Sequence, residues 1–264
     1  MVKPMILDVI NLGIGFIYQI GEKMKGVILA GGEGTRLKPL TQVTNKHLLP
    51  VFDKPMIIHP LEILKSVGVK EVCVVTGGDY IADFMRFLGS GVNFGVRFTY
   101  KIQDGPKGIA HALLQAEEFF NNDKVVAILG DNIFEKVDIP EEALHDDCAY
   151  VLLKEVRNPQ RFGVAVFDGN ENIVGVEEKP KEPKSNFAVT GLYIYPNDVF
   201  SFIKNLGPSE RGELEITDVH NWYLKQGRLK AIKVRGFWSD AGTFESMLRA
   251  TMLMAAHRGF GLEG

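Results

Sequence analysis

The sequence predicts an α/β fold built on a mostly parallel central sheet with helices on both of its faces. Three observations predict it. From Lys25 onward, short continuous apolar runs rich in β-branched residues alternate with segments of helical periodicity. The connections between these runs are long enough for crossover helices. A glycine-rich loop and an aspartate each follow the end of an apolar run, where ligands bind in sheets of this kind.

The elements follow in order. Lys25–Ala30 (KGVILA) reads as a buried strand running into Gly31. Pro55–Val67 reads as a helix, with Ile57, Leu61 and Leu64 at helical spacing and Gly68 as its stop. Strands are predicted at Glu71–Thr76 and Val96–Ile102, with a helix at Ile81–Leu88 between them. Ile109–Phe120 reads as a helix presenting Ala112, Ala116 and Phe119 on one face. Val125–Leu129 is a strand that ends at Gly130-Asp131-Asn132. After Tyr150 the pieces become shorter and β-rich. Strands are predicted at Tyr150–Lys154, Phe162–Phe167, Ile173–Glu177, Ala188–Tyr195 and Leu229–Val234. Helices are predicted at Val199–Asn205, Ile216–Gln226 and Thr243–Ala256. No repeat or low-complexity linker interrupts the chain, so both halves are expected in one compact body.

Bulk properties exclude several functions. A chain of 264 residues suits one large α/β domain or two small ones. With 30 basic against 33 acidic residues and a net charge of −3, no global field draws nucleic acid or an anionic membrane, so any phosphate-binding charge must be local. Cys73 and Cys148 lie far apart and form no CxxC, which fits a reduced cytoplasm. Residues 1–23 form an N-terminal extension in which the stretch Met5–Ile20 is apolar and rich in Ile and Gly. Asp8 and Asn11 interrupt it, it falls short of the roughly 18 apolar residues of a spanning helix, and no A-x-A site follows. A start-site extension ahead of Met24, or an added helix, is the expectation.

Gly31-Gly32-Glu33-Gly34-Thr35-Arg36 suits phosphate binding: glycines let backbone N–H groups approach phosphate oxygens, and Arg36 adds a fixed-charge fork. The loop is no Walker A motif, because Gly-Lys-Ser/Thr is missing. It is no dinucleotide fingerprint either, because Leu37 stands where the third glycine belongs. Alone, such a loop is as readily a plain turn. It is followed by Lys46-His47-Leu48-Leu49-Pro50 and Asp53-Lys54-Pro55-Met56-Ile57. Leu129-Gly130-Asp131-Asn132, Arg161-Phe162-Gly163-Val164, Glu177-Glu178-Lys179-Pro180, Ala188–Tyr193, Glu213–Asp218 and Trp238–Thr243 come further on.

With these motifs, in this order from Lys25 to about Ala256, the chain resembles the sugar nucleotidyltransferases, closest to their thymidylyl-transferring branch. The resemblance implies a Rossmann-like three-layer α/β/α domain over residues 24–264 with a mixed, mostly parallel sheet. Residues 24–149 would form the nucleotide-binding half and 150–264 the sugar-phosphate half. It implies Mg²⁺ on Asp131 and Asp240, in keeping with the one or two carboxylates that usually hold this ion beside substrate phosphates. Arg36, Lys46 and Lys179 would be catalytic. Gly31, Gly32, Gly34, Thr35, His47, Gln103 and Gly108 would join Arg36, Lys46 and Asp131 on the nucleotide. Gly163, Glu178, Lys179, Val189 and Tyr193 would hold the sugar phosphate. The implied substrates are dTTP, with UTP as the alternative, and glucose 1-phosphate.

Each residue also has a plainer reading. Asp131 fits a turn and Asp240 an N-cap; Arg36 and Lys46 fit a solvated surface, Gln103 a loop amide, and Glu178-Lys179 a charged turn before proline. Two departures stand out. His47 replaces the glutamine of better-known thymidylyltransferases, and Gln103-Asp-Gly-Pro-Lys-Gly108 differs from their Gln-Pro-Ser-Pro-x-Gly. The family's C-terminal helices, which carry an allosteric site in longer members, have no counterpart after the helix following Asp240, and a homo-oligomer stays open. Because a phosphate oxygen is already ionised near pH 7, with a second pKa of about 6, the reaction requires no general base. A dinucleotide-dependent oxidoreductase is disfavoured by Leu37 and by Thr76, where an acidic residue would close the second strand. A catalytically silent binding module would have lost one of Arg36, Lys46, Asp131, Lys179 or Asp240, and all five are present.

Overall fold

A computed structural model describes residues 24–261; the N-terminal extension lies outside the described residues. The chain opens with β1 (Lys25–Ala30), buried along its whole length. Its side chains alternate between two cores, Val27 and Leu29 in one, Ile28 and Ala30 in the other. Period-2 alternation into two apolar layers is what a central strand covered on both faces requires. A short hairpin of β2 (Pro50–Val51) and β3 (Lys54–Pro55) follows. Then come α1 (Ile58–Ser66), β4 (Glu71–Gly77), α2 (Ile81–Leu88), β5 (Arg97–Gln103), α3 (Ile109–Leu114) and α4 (Glu117–Phe120). β6 (Val125–Leu129) and β7 (Asn132–Phe134) close the first half.

The second half runs β8 (Ala149–Glu155), β9 (Gly163–Phe167), β10 (Ile173–Glu178), β11 (Phe187–Tyr195), α5 (Val199–Ile203) and α6 (Ile216–Lys225). It ends with β12 (Leu229–Lys233), β13 (Trp238–Asp240) and α7 (Phe244–His257). The main sheet has the order β10-β9-β11-β6-β1-β4-β5, with β8 pairing β11 and β12 beside that path. β6, β1, β4 and β5 run parallel, and β11 joins them antiparallel to β6. Helices α1 and α2 contribute to the core on one face, and α3, α5 and α6 to that on the other. The three-layer arrangement and the mixed sheet are as the sequence predicts.

Three local readings change. The helix predicted from Pro55 starts at Ile58. Pro55 pairs with Pro50, and the amides of Met56 and Ile57 bond back to the carbonyls of Leu49 and His47, so the chain is still closing the hairpin there. The helix predicted over Ile109–Phe120 divides in two. Gln115 and Ala116 donate to carbonyls three residues back, and this tighter turn sends Phe120 into the core against Phe200, 5.5 Å between ring centroids. Asp131 does not end a strand: it stands in the turn between β6 and β7, and β7 pairs antiparallel with β13.

Candidate active site

The glycine loop after β1 is held between two side chains. Gly34, at φ 67°, caps the turn Thr35–Leu37; a Cβ there would lie 2.8 Å from Thr41 and 2.9 Å from Lys46. Gly32 faces the Lys46 stem, and a Cβ on Gly31 would overlap Gln103 Oε1. Gly31 and Gly32 line a cleft of about 250 Å³ together with Lys46, His47, Gln103, Gly108 and Asp131. Gln103 donates its amide N–H to the Gly108 carbonyl at 3.1 Å, which leaves Oε1 as an acceptor on the Gly31 side. His47 is 1% exposed. Asn45 Oδ1 accepts from the His47 backbone N–H at 2.9 Å and faces Nδ1 at 2.7 Å, so Nδ1 carries the proton. Burial, reinforced by the Lys46 charge, pushes the imidazole down to about 3. His47 is therefore a neutral wall of the cleft, packed on Gly130, where a Cβ would lie 2.6 Å from its ring.

Asp131 and Asp240 are brought together by the β7–β13 ladder, in which Asn132 pairs with Asp240 and the Ala241 amide donates to the Asp131 carbonyl at 2.8 Å. Asp131 Oδ2 and Asp240 Oδ2 each lie 3.4 Å, and Arg36 Nη2 3.5 Å, from the point a Cβ on Gly242 would occupy. The two carboxylate oxygens are thus at most twice that distance apart. Lys46 Nζ is 2.6 Å from Asp131 Oδ2. Burial raises the Asp131 carboxyl, but the Lys46 charge, with bonds from Lys46 and the Asn132 amide, outweighs it and holds the group below the usual carboxylate range. On Asp240, Oδ2 accepts from Ser246 Oγ at 3.1 Å and from the Gly242 amide at 3.4 Å, with Arg161 Nη2 also at 3.4 Å. The N-cap of α7 is Thr243, in a capping box with Ser246, so Asp240 is spared for the site. Two carboxylate oxygens within reach of one point are a hard donor pair suited to Mg²⁺.

A larger cavity of about 600 Å³ continues from there, and Asp131 lines both spaces. Arg36, Gly163, Glu178, Lys179, Val189, Tyr193 and Asp240 face it. Glu178 accepts from Thr217 Oγ1 at 2.6 Å and lies 3.0 Å from Lys179 Nζ and 3.4 Å from Arg211. Its burial is outweighed by the Thr217 hydroxyl and the Lys179 and Arg211 charges, so its pKa falls and it stays ionised. Gly34 and Thr35, expected on the nucleotide, line neither space: Gly34 shapes the loop backbone, and Thr35 starts a turn directed to solvent.

Several contributors escape sequence reading. Asn132 is a hub, donating to Asp131 Oδ1 at 3.0 Å while its Oδ1 accepts from Gly191 N at 2.9 Å and Trp238 Nε1 at 2.7 Å. One amide thereby ties together the turn bearing Asp131, the strand bearing Asp240 and β11 with Val189 and Tyr193. Gly191 leaves room for it, since a Cβ there would lie 2.6 Å from that amide. Arg161 and Thr217 stand inside motifs that the resemblance rests on but carry no role there, and Ser246 lies outside every motif.

The nucleotidyl transferase family model matches residues 25–257. A glucose-1-phosphate thymidylyltransferase of Neisseria meningitidis serogroup A is 48% identical over 233 residues, 86% of this chain and 81% of the relative. One from Mycolicibacterium smegmatis is 43% identical with the same coverage. Among solved structures, a Bacillus anthracis protein assigned as a glucose-1-phosphate thymidylyltransferase, in complex with a sucrose, superposes with a TM-score of 0.82 at 53% identity, covering 87% of this chain and 94% of its own. A UDP-glucose pyrophosphorylase complexed with UDP-glucose superposes with a TM-score of 0.76 at 28% identity, covering 89% and 99%.

Proposed function

The chain belongs to the nucleotidyl transferase family, and from that premise we propose that it is a glucose-1-phosphate thymidylyltransferase, making dTDP-glucose and pyrophosphate from dTTP and glucose 1-phosphate. One observation carries the reading: Asp131 and Asp240, with Arg36 and Lys46 beside them, stand where the cleft lined by Gly31, Gln103 and Gly108 meets a cavity carrying Lys179 and Glu178. In the reaction a phosphate oxygen of the sugar phosphate attacks the α-phosphorus in line, that P–O bond forms, and the bond to the departing pyrophosphate breaks.

The residues divide the work. Gln103 Oε1 accepts the imide N–H that thymine and uracil share, and the Gly108 backbone and Gly31 flank the base. Arg36 and Lys46 draw in the triphosphate and meet the charge that gathers on the pyrophosphate. Lys179 holds the sugar's phosphate, Glu178 accepts from sugar hydroxyls, and Gly163, Val189 and Tyr193 shape the wall behind it. Asp131 and Asp240 would hold Mg²⁺, which when bound neutralises phosphate charge and orients the two anions. Residues 24–149 then serve as the nucleotide half and 150–264 as the sugar-phosphate half. Among the described residues no helix is long and apolar enough to cross a membrane, and the free thiols of Cys73 and Cys148 fit the cytoplasm.

Neutral His47 at the cleft wall keeps UTP as the rival nucleotide. The test is pyrophosphate release from glucose 1-phosphate with Mg²⁺ and each of the dNTPs and NTPs. We expect dTTP to lead in kcat/KM. A tenfold preference for UTP would replace the thymidylyl assignment with a uridylyl one, and no release with any triphosphate would overturn the transferase reading.

A further inference from the structure

We infer that His220 is a sugar-reading residue: its Nδ1–H stands as a hydrogen-bond donor in the floor of the larger cavity, held in that tautomer by Tyr195, and helps select the sugar by pairing with one of its hydroxyls. The inference rests on the reading of that cavity as the sugar 1-phosphate site.

The imidazole belongs to α6, one turn after Thr217, and lines the cavity together with Ile216, Thr217 and Tyr193. It is 1% exposed and sits between two tyrosines, 5.0 Å from the Tyr193 ring and 6.0 Å from the Tyr195 ring in a stacked arrangement. Tyr195 is fully buried, and its hydroxyl has one hydrogen-bond partner among the described residues, His220 Nε2 at 2.7 Å. That contact has two possible directions. If Nε2–H donated, the sealed hydroxyl hydrogen would be left without an acceptor, a state that folded proteins avoid. Tyr195 therefore donates and Nε2 accepts.

Burial pushes the imidazole down to about 3, so the ring is neutral at neutral pH and carries one N–H, on Nδ1. Nδ1 has no acceptor among the described residues, yet it is not sealed. The sealed, unpartnered side-chain atoms among those residues are the hydroxyls of Thr76 and Thr190. The exposed sliver of the ring thus opens on the cavity it lines.

The ligand group follows from the neighbours. Lys179, Arg161 and Arg36 supply the positive charge for phosphate, while ionised Glu178, bonded to Thr217, offers an acceptor. A neutral N–H donor beside a carboxylate acceptor complements a carbohydrate hydroxyl, which donates and accepts at once. It offers nothing to a second anion beyond a weak dipole.

The test uses two substitutions that each keep one half of the imidazole. An asparagine amide can place a donor where Nδ1 stands but gives up the Tyr195 contact. A glutamine amide can reach Tyr195 but leaves nothing at Nδ1. Wild type, His220→Asn and His220→Gln are compared in kcat/KM with dTTP and glucose 1-phosphate and with its 2-, 3-, 4- and 6-deoxy analogues. We expect His220→Gln to lose ~10-fold with glucose 1-phosphate, the size of one neutral hydrogen bond, through KM for the sugar phosphate. Its KM for dTTP should not change, and it should lose nothing further with the one deoxy analogue that also weakens wild type. His220→Asn should stay within about threefold and keep the wild-type ranking, as a hydrogen bond largely retained would allow. Equal losses across all analogues, or His220→Asn falling as far as His220→Gln, would show a packing role and overturn the inference. Wild type releasing no pyrophosphate with any sugar phosphate would instead sink the reading of the cavity.

Discussion

Asp131 carries more of the account than any other side chain. Its carboxylate is shared between Lys46 and the Asn132 amide, held ionised, and lines both spaces. Asp131→Asn keeps the shape and removes the charge. We expect kcat/KM to fall by on the order of 10³, as when a charge-stabilising group is lost, with melting behaviour close to wild type. A rate within tenfold of wild type would remove Asp131 from the site. The two buried imidazoles set a different dependence. His47 and His220 are both pushed down to about 3 in the folded protein. Between the ordinary histidine value and about 3 the unfolded chain binds protons that the folded chain refuses, so stability is full above that window and declines as pH falls through it. Each ring contributes a slope of up to about 1.4 kcal/mol per pH unit. Urea unfolding at a series of pH values between 6.5 and 4.5 should show this, and His220→Asn should flatten the slope by about one proton; an unchanged slope would place charge on the folded ring.

At the level of elements, the β7–β13 ladder and the start of α7 hold Asp240. Ser246 both completes the capping box and bonds the Asp240 carboxylate, whereas Thr243 serves the cap. Thr243→Ala should cost about 1 kcal/mol of stability, with turnover largely kept. Ser246→Ala should lower turnover by more than its stability loss explains, read from kinetics beside urea unfolding; parallel losses in both variants would deny Ser246 a place at the site. The same elements show what the sequence reveals. β1, β4 and β6 announce themselves by unbroken apolar runs, and α2 by its periodicity, because burial on both faces or one stripe leaves that mark. β7 and β13 are three residues long and pair across more than a hundred positions, so no local period betrays them. The motif resemblance named Asp131 and Asp240 but not Asn132's task, which depends on three segments meeting at one amide.

Across the whole molecule, β11 pairs antiparallel with β6 and so sews the second half onto the first. The core that contains Val27 and Leu29 also contains Tyr193, Tyr195 and Tyr223. A shared core of this kind should unfold as one cooperative unit. Fluorescence of Trp222 and Trp238 and far-UV circular dichroism should give coincident urea transitions, and a separated second transition would split the halves into independent domains. This continuity is what brings the cleft and the cavity to one face, with Asp131 lining both. ³¹P NMR of the protein with Mg²⁺, dTTP and glucose 1-phosphate follows the proposed transfer atom by atom. Pyrophosphate and dTDP-glucose should grow in equal amounts, and neither should form when glucose 1-phosphate is omitted. Release of dTMP with pyrophosphate, or of inorganic phosphate, in place of the nucleotide sugar would contradict that transfer.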